Sequence, residues 1–368
     1  MKKYYSLAMI FAIMMLVAAN RSKTNKYGMT QGTPEIKSIS AIAFGPDGII
    51  FIGDSRSASV FAVDTKDKTA VEKATAVEVK NIDQKIAAAL GTDAKNIRIV
   101  DIAVNPVSKK IYCAVQSGDG TPVLLTVEGD KVNAVSLKDV LFSTASITNA
   151  PNEDQKDRGG RSLRESTISD MNFADGAVML SGLSNQEFSS SFQSIPFPFT
   201  NKQDQASLEI YHAAHGRFET NAPIRTFTTA ELGGKKYLVA SYTCTPLVLF
   251  PLDELKAGKH VKGRTVGEFG AGNSPIDMIT LKKGADSYLV MANSNRPVMR
   301  VQYKIIETYA GSLTEQVKES YATAGVNMVT LPVVNVLQMD KLDEGQVVML
   351  QRRNGDLDLL TVRTDRWL

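Results

Sequence analysis

The densest run of chemically capable side chains is Tyr211-His212-Ala213-Ala214-His215-Gly216-Arg217-Phe218-Glu219-Thr220-Asn221, which holds two of the chain's three histidines. A His-x-x-His spacing turns both imidazoles toward one metal ion only where the backbone is helical, so a third ligand such as Glu219 or Asp170 has to come from elsewhere. If the run lies over a channel mouth, His215 is placed to act as general base. Arg217, His212 and Asn221 would then hold a carboxylate-bearing ligand. The plainer alternative ends a strand at His212 and closes a turn at His215, with the ring bonded to a nearby carbonyl.

A second group is formed by aspartates set among apolar neighbours, in Ile99-Val100-Asp101-Ile102, Ile168-Ser169-Asp170-Met171 and Ile276-Asp277-Met278-Ile279. A fourth stretch of the same kind, Ile224-Arg225-Thr226-Phe227, carries an arginine. Aligning such stretches puts Ala41, Asp101, Asp170, Arg225 and Asp277 at one position, with Val336 or Leu337 completing the set. Converging carboxylates raise one another's pKa unless a cation or Arg225 neutralises them. A ring of oxygens suits a hard divalent ion, calcium above all, with Asn273, Asn221 and Glu35 as further donors. The alternative is that the aspartates bond backbone amides of neighbouring segments, or pair with Arg225 and Arg98, and so order a channel without any ion.

Both groups need elements to carry them, and strand signals dominate: short Val, Ile, Tyr and Phe runs broken by Gly, Asn, Asp and Pro. Helical periodicity is confined to 83–90 and 312–321. The strands recur in a fixed order. The first copy runs 39–44, a Pro46-Asp47-Gly48 turn, 49–52 and 60–63, and further copies begin near 99, 168, 224, 276 and 333. Six small antiparallel meanders at intervals of this length indicate radial repetition, an all-β six-bladed β-propeller with seven blades as the alternative. A two-sheet sandwich does not explain such a repeat. Residues 144–166 and 184–206 are polar and read either as long loops or as a weakly marked blade.

The stretch Phe44-Gly-Pro-Asp-Gly-Ile-Ile-Phe-Ile-Gly-Asp-Ser55, followed by Val60-Phe-Ala-Val-Asp64, resembles the blade signature of exported propellers of the NHL, YVTN and gluconolactonase-like kind. The resemblance covers one blade closely and the rest as a pattern of strands and turns. It implies a propeller that serves variously as binding scaffold, sugar-acid lactonase or part of a larger enzyme. The gluconolactonase-like relatives hold a divalent ion in the channel with carboxylate and Asn ligands, a set of the type offered by Asp101, Asp170, Asp277 and Asn273.

Met-Lys-Lys, an apolar run over 7–17 and the small residues Val17-Ala18-Ala19 read as a signal peptide over 1–19. A linker over 20–34 and a single propeller domain over 35–368 would follow, placing the mature protein outside the cytoplasm with no membrane span. The formal charge is +3, and losing Lys2 and Lys3 leaves +1 with basic residues scattered, so no nucleic-acid partner is expected. Cys113 and Cys244 fall in copies that are not neighbours and are expected as free, largely buried thiols. No serine-hydrolase elbow, zinc-protease motif or nucleotide fingerprint occurs. Two functions stay open. One is a binding or interaction module for a small molecule or an extracytoplasmic protein, and the other is a divalent-cation-dependent lactonase or esterase in which His215 moves protons.

Overall fold

The structure, a computed structural model, describes residues 26–368, so the expected signal peptide over 1–19 lies outside the described residues. The chain forms six sheets arranged as a six-bladed β-propeller, which excludes both the sandwich and the seventh blade. Numbered by chain order of their innermost strands, blade I begins with Ala41–Phe44, II with Ile97–Val104, III with Asp170–Ala174, IV with Thr226–Leu232, V with Pro275–Lys283 and VI with Val336–Asp343.

Local chemistry sets the hairpins. Asp47 and Gly48 both take positive φ, 54° and 72°, and the same pairing recurs at Asp175-Gly176 and Asn354-Gly355. Such residues tolerate the left-handed region that tight turns between twisted strands need. At Gly48 the constraint is also spatial, because a Cβ there would come within 2.5 Å of the Asp67 carbonyl oxygen.

Packing follows from the two-residue period of a strand. In blade I, Ile49, Phe51, Val60 and Ala62 face blade III's Val178, Leu180 and Ile195. The alternate residues Ile50, Ile52, Phe61 and Val63 face blade II's Tyr112, Ala114 and Leu124. Both faces are covered, so Ile49–Asp54 and Ser59–Asp64 are buried throughout. Each of the other four seams has its own apolar cluster, II with VI, VI with V, V with IV and IV with III. Burying one large aliphatic or aromatic side chain stabilises by about 1.5–3 kcal/mol, so these six clusters are the bulk of the fold's stability.

The ring does not follow chain order. Blade I lies between II and III, and blade II closes the circle against VI. Two exchanges accomplish this. Val140–Ser146, which follows blade II, returns to pair with Ser59–Asp64 as an outer strand of blade I. Glu78–Val79, which follows blade I, pairs with Leu359 and Leu360 of blade VI, and the helix Ile82–Ala89 seals that seam through Ile82 and Ile86. Thr30–Gly32, expected within a linker, is instead the outermost strand of blade I.

Two expectations need correction. The polar segment 184–206 hides no blade but supplies Ser190–Pro196 and the start of Asp204–His212 in blade III. The stretch 312–321 is not helical, because its amides are drawn to other partners: Leu313 donates to the Thr265 carbonyl and Val317 to that of Ala213. The helix falls earlier, at Tyr303–Thr308, where Tyr303 and Ile306 reach the blade IV–V core.

Candidate functional site

The aspartates converge. Asp101, Asp170 and Asp277 line one central cavity of about 1300 Å3, joined by Asp340, which sequence reading passed over. The lining runs from these residues, at the start of one innermost strand and part-way along the others, to Phe44 at the end of one such strand and to Pro106, Lys109 and Gly345 in the turns after others. The cavity therefore opens on the face bearing those turns, and not at a mouth formed by loops before the innermost strands. Lys73, Glu72 and Arg363 stand at its open end.

Each carboxylate has a fixed task. In every case one oxygen accepts the amide of the following residue, at 2.8 Å from Ile102, 2.7 Å from Met171, 2.7 Å from Met278 and 2.7 Å from Lys341. The other oxygen accepts an amide from the next blade. Asp101 takes Ile42 at 2.8 Å, Asp170 takes Phe227 at 2.8 Å, Asp277 takes Met339 at 2.8 Å and Asp340 takes Val104 at 2.7 Å. The two seams without an aspartate are joined by hydroxyls. Ile168 donates to Ser55 Oγ at 3.1 Å across I–III, and Thr228 meets Thr280 at 3.4 Å across IV–V. Every seam at the hub thus has a polar clasp. The alternative in which aspartates bond neighbouring amides describes this geometry.

A bulge immediately before the polar position, between Ile99 and Asp101, Pro275 and Asp277, and Val336 and Gln338, turns the side chain inward. It also explains one of two misalignments, that of blade VI; blade IV carries no bulge. In blade VI the position equivalent to Asp101 holds Gln338, which donates to the Val100 carbonyl, and not Val336 or Leu337. In blade IV it holds Thr226, opposite Ser241 as Asp170 is opposite Ser181. Arg225 is exposed one residue earlier and makes no ion pair among the described residues. Asn273 is also not brought to the aspartates. Its amide donates to Asn293 Oδ1 at 3.0 Å and its oxygen accepts the Asn295 amide at 3.0 Å, within its own loops.

Enclosure raises the ring's pKa values. Burial first, and then the charge of Asp277, pushes Asp101 well above the usual carboxylate range. Burial likewise takes Asp277 to about 8, and Asp170 and Asp340 to about 6, against the lowering effect of the amides. The side chains are walled by protein and face the lumen.

The histidines lie elsewhere. His212 ends Asp204–His212 in blade III, and the turn through His215 leads back into Arg217–Glu219, so the backbone is a hairpin and not a helix. Glu219 gathers the run: its carboxylate takes His212 Nδ1 at 2.8 Å, His215 Nδ1 at 2.7 Å and Arg217 Nε at 3.1 Å. Burial would raise this acid, yet the bonds from His212 and His215 outweigh it and hold it at about 2. The two rings lie side by side, centroids 3.9 Å apart. Asn221 sits at the edge of the cluster, bonded to Thr220.

Cys244 completes the group from blade IV, in the turn after Lys235–Ser241. Its Sγ is 3.8 Å from His215 Nε2. That turn stands at the end of the ring where the innermost strands begin, so the cluster and the open end of the cavity occupy opposite faces. Both cysteines are free, Cys113 deep in the core with burial pushing its thiol up to about 12, and Cys244 half-exposed. Sequence reading named the histidines but not Cys244 as their companion. The signal was topological: the loop entering a blade and that blade's second turn share one face.

The fold and these two sites define a β-propeller with a polar hub and a separate histidine and cysteine cluster on its rim. No protein-family model matches the sequence, and no curated protein does. Solved structures that resemble it include an oxidoreductase (glucose dehydrogenase) from Thermus thermophilus, at 11% identity and TM-score 0.33 over 91% of this chain and 99% of that one. Others are a PQQ-bound aldose sugar dehydrogenase from Streptomyces coelicolor, at 11% and 0.35 over 90% and 97%, and the WD40 propeller domain of Doa1, at 10% and 0.33 over 93% and 99%. Likenesses this distant carry no argument about activity, and the propeller rests on the six sheets themselves.

Proposed function

We propose that the protein is an extracytoplasmic binding module that takes a small polar ligand into the central cavity. The observation that supports this most directly is the cavity itself, about 1300 Å3, floored by hydrogen-bond acceptors and flanked by charged side chains. Ligand sites are typically concave and of roughly 300–1000 Å3, with a few convergent polar groups. Each aspartate oxygen retains a lone pair beyond its amide bonds, so a ligand rich in hydroxyl or ammonium donors complements the floor. The Lys2-Lys3 start and the apolar run over 7–17 support export, and no described helix is long and apolar enough to cross a membrane.

The second reading is a calcium-dependent lactonase of the gluconolactonase-like kind, and the convergence of Asp101, Asp170 and Asp277 favours it. Against it, each of the ring's carboxylates already accepts two amides, one at each oxygen. Thermal shift separates the two. Chelated protein is melted with a panel of sugars, sugar lactones and diamines, and separately with calcium. The binding reading expects a melting rise with a panel member that Lys109→Ala and Asp340→Asn reduce. A rise with calcium that Asp101→Asn abolishes, accompanied by lactone hydrolysis, would replace it with the enzyme reading. No response to any panel member or to calcium would refute both.

A further inference from the structure

We infer that His212, His215 and Cys244 form a transition-metal site, with zinc(II) the ion it fits best, on the face opposite the open end of the cavity. The inference stands apart from the channel reading and shares no residue with it. One ligand atom from each of the three residues lies within 4.8 Å of the other two. Tetrahedral zinc with Zn–N near 2.0–2.1 Å and Zn–S near 2.3 Å brings N and S to about 3.6 Å of each other. The 3.8 Å from His215 Nε2 to Cys244 Sγ is within a small side-chain adjustment of that spacing.

A second observation is the state of His212. The residue is only 2% exposed, and its Nε2 has no hydrogen-bond partner although its Nδ1 is engaged. A buried polar atom is ordinarily paired. Because both Nδ1 atoms are committed to Glu219, both rings turn Nε2 to the side away from it, and a neutral ring that donates through Nδ1 carries its lone pair there. A carboxylate that fixes ligand histidines through their outer nitrogens is the usual support of a histidine metal site, and here one carboxylate orients two.

The third ligand is held just as firmly. Cys244 and Thr245 both take positive φ, 67° and 58°. The turn is pinned by the Cys244 amide on the Asn273 carbonyl at 2.7 Å and by Thr245 Oγ1 on the Gly270 carbonyl at 3.1 Å. Two imidazoles and a thiolate suit zinc better than calcium or magnesium, which prefer oxygen. Cys244 is half-exposed and the His215 side chain 40% exposed, so an ion has a path in and a fourth position is left for water or another ligand.

The test uses the full chain stripped with chelator and titrated with zinc and with cobalt(II), whose absorption reports thiolate ligation directly. The expected result is one ion per chain, cobalt–thiolate charge transfer, and protection of Cys244 from iodoacetamide by zinc. Cys244→Ser should abolish the charge-transfer band, and His215→Ala should abolish or greatly weaken binding. Glu219→Gln should weaken binding by about 10–100-fold, as loss of supporting carboxylates does elsewhere. Lys131→Ala, at an exposed position of blade II, should leave binding unchanged. Zinc affinity unaltered in Cys244→Ser and His215→Ala, or a thiol that zinc does not protect, overturns the proposal.

Discussion

Asp277 illustrates how a carboxylate survives among Ile276, Met278 and Ile279. Its two oxygens take the Met278 and Met339 amides, so removing them strands two enclosed backbone donors. An unsatisfied buried donor costs about 1–3 kcal/mol. Asp277→Ala is therefore expected to lower stability by roughly that much in urea titration, and Asp277→Asn, which keeps one acceptor and sheds the charge, by less. The pH dependence follows from the raised pKa values. A carboxyl with a folded pKa above its unfolded value stabilises fully only below that unfolded value, near 3.8, and its contribution is lost as pH climbs through about 6 for Asp170 and Asp340 and about 8 for Asp277. Glu219 acts in the opposite sense: held at about 2, it contributes above its unfolded value of 4.5 and loses that contribution on acidification. The melting temperature should thus peak near the unfolded carboxylate values and fall from there to about pH 8, most steeply below about pH 6 and more gently above it, where Asp277→Asn should flatten the fall. A melting temperature that rises over that interval would contradict the enclosure of the ring. The sequence displayed these aspartates through their apolar flanks. It concealed Gln338 as their equivalent, because a bulge adds a residue that ungapped alignment cannot register, and Thr226, in a strand without a bulge, because no charge marks its position.

The elements were legible where their chemistry is local. Asp-Gly and Asn-Gly turns and alternating apolar runs announce hairpins from a few residues, and each copy of the meander proved to be a blade. What is not local was hidden. The short strand Glu78–Val79 has no strand signal of its own, and it exists because Leu359 and Leu360 offer it an open edge. The helix Ile82–Ala89 is too short to persist alone and is held by Ile82 and Ile86, both fully buried against blades II and VI. Ile86→Ala should cost about 2–5 kcal/mol, whereas Ile305→Ala, at an exposed helical position, should change stability by under about 0.5 kcal/mol. Equal losses at the two sites in chemical denaturation would mean that the helix does not close the ring. The same non-local logic hid Cys244, which is 29 residues from His215 in sequence and faces it only because two blades are juxtaposed.

At the scale of the molecule the circle is locked by exchange. Blade I borrows Val140–Ser146 from beyond blade II, and blade VI borrows Glu78–Val79 from before it. Neither early blade can leave without opening two seams. Calorimetry should accordingly record one cooperative transition, and a chain begun at residue 97 should fail to give a compact propeller; successive independent melting steps would count against the interlock. Repetition was visible in the sequence and gave the number of blades, but their order around the axis was not, since every seam offers similar apolar faces.

The interlock also bears on how the chain is made. The edge at Ser59–Asp64 emerges from the ribosome about 75 residues before its partner at Val140–Ser146 and stays open in the interval, offering unpaired backbone to any neighbouring strand. A polypeptide that must remain unfolded until it has crossed a bilayer gains from such a delay. One that folds as it is synthesised would need a holdase at that edge.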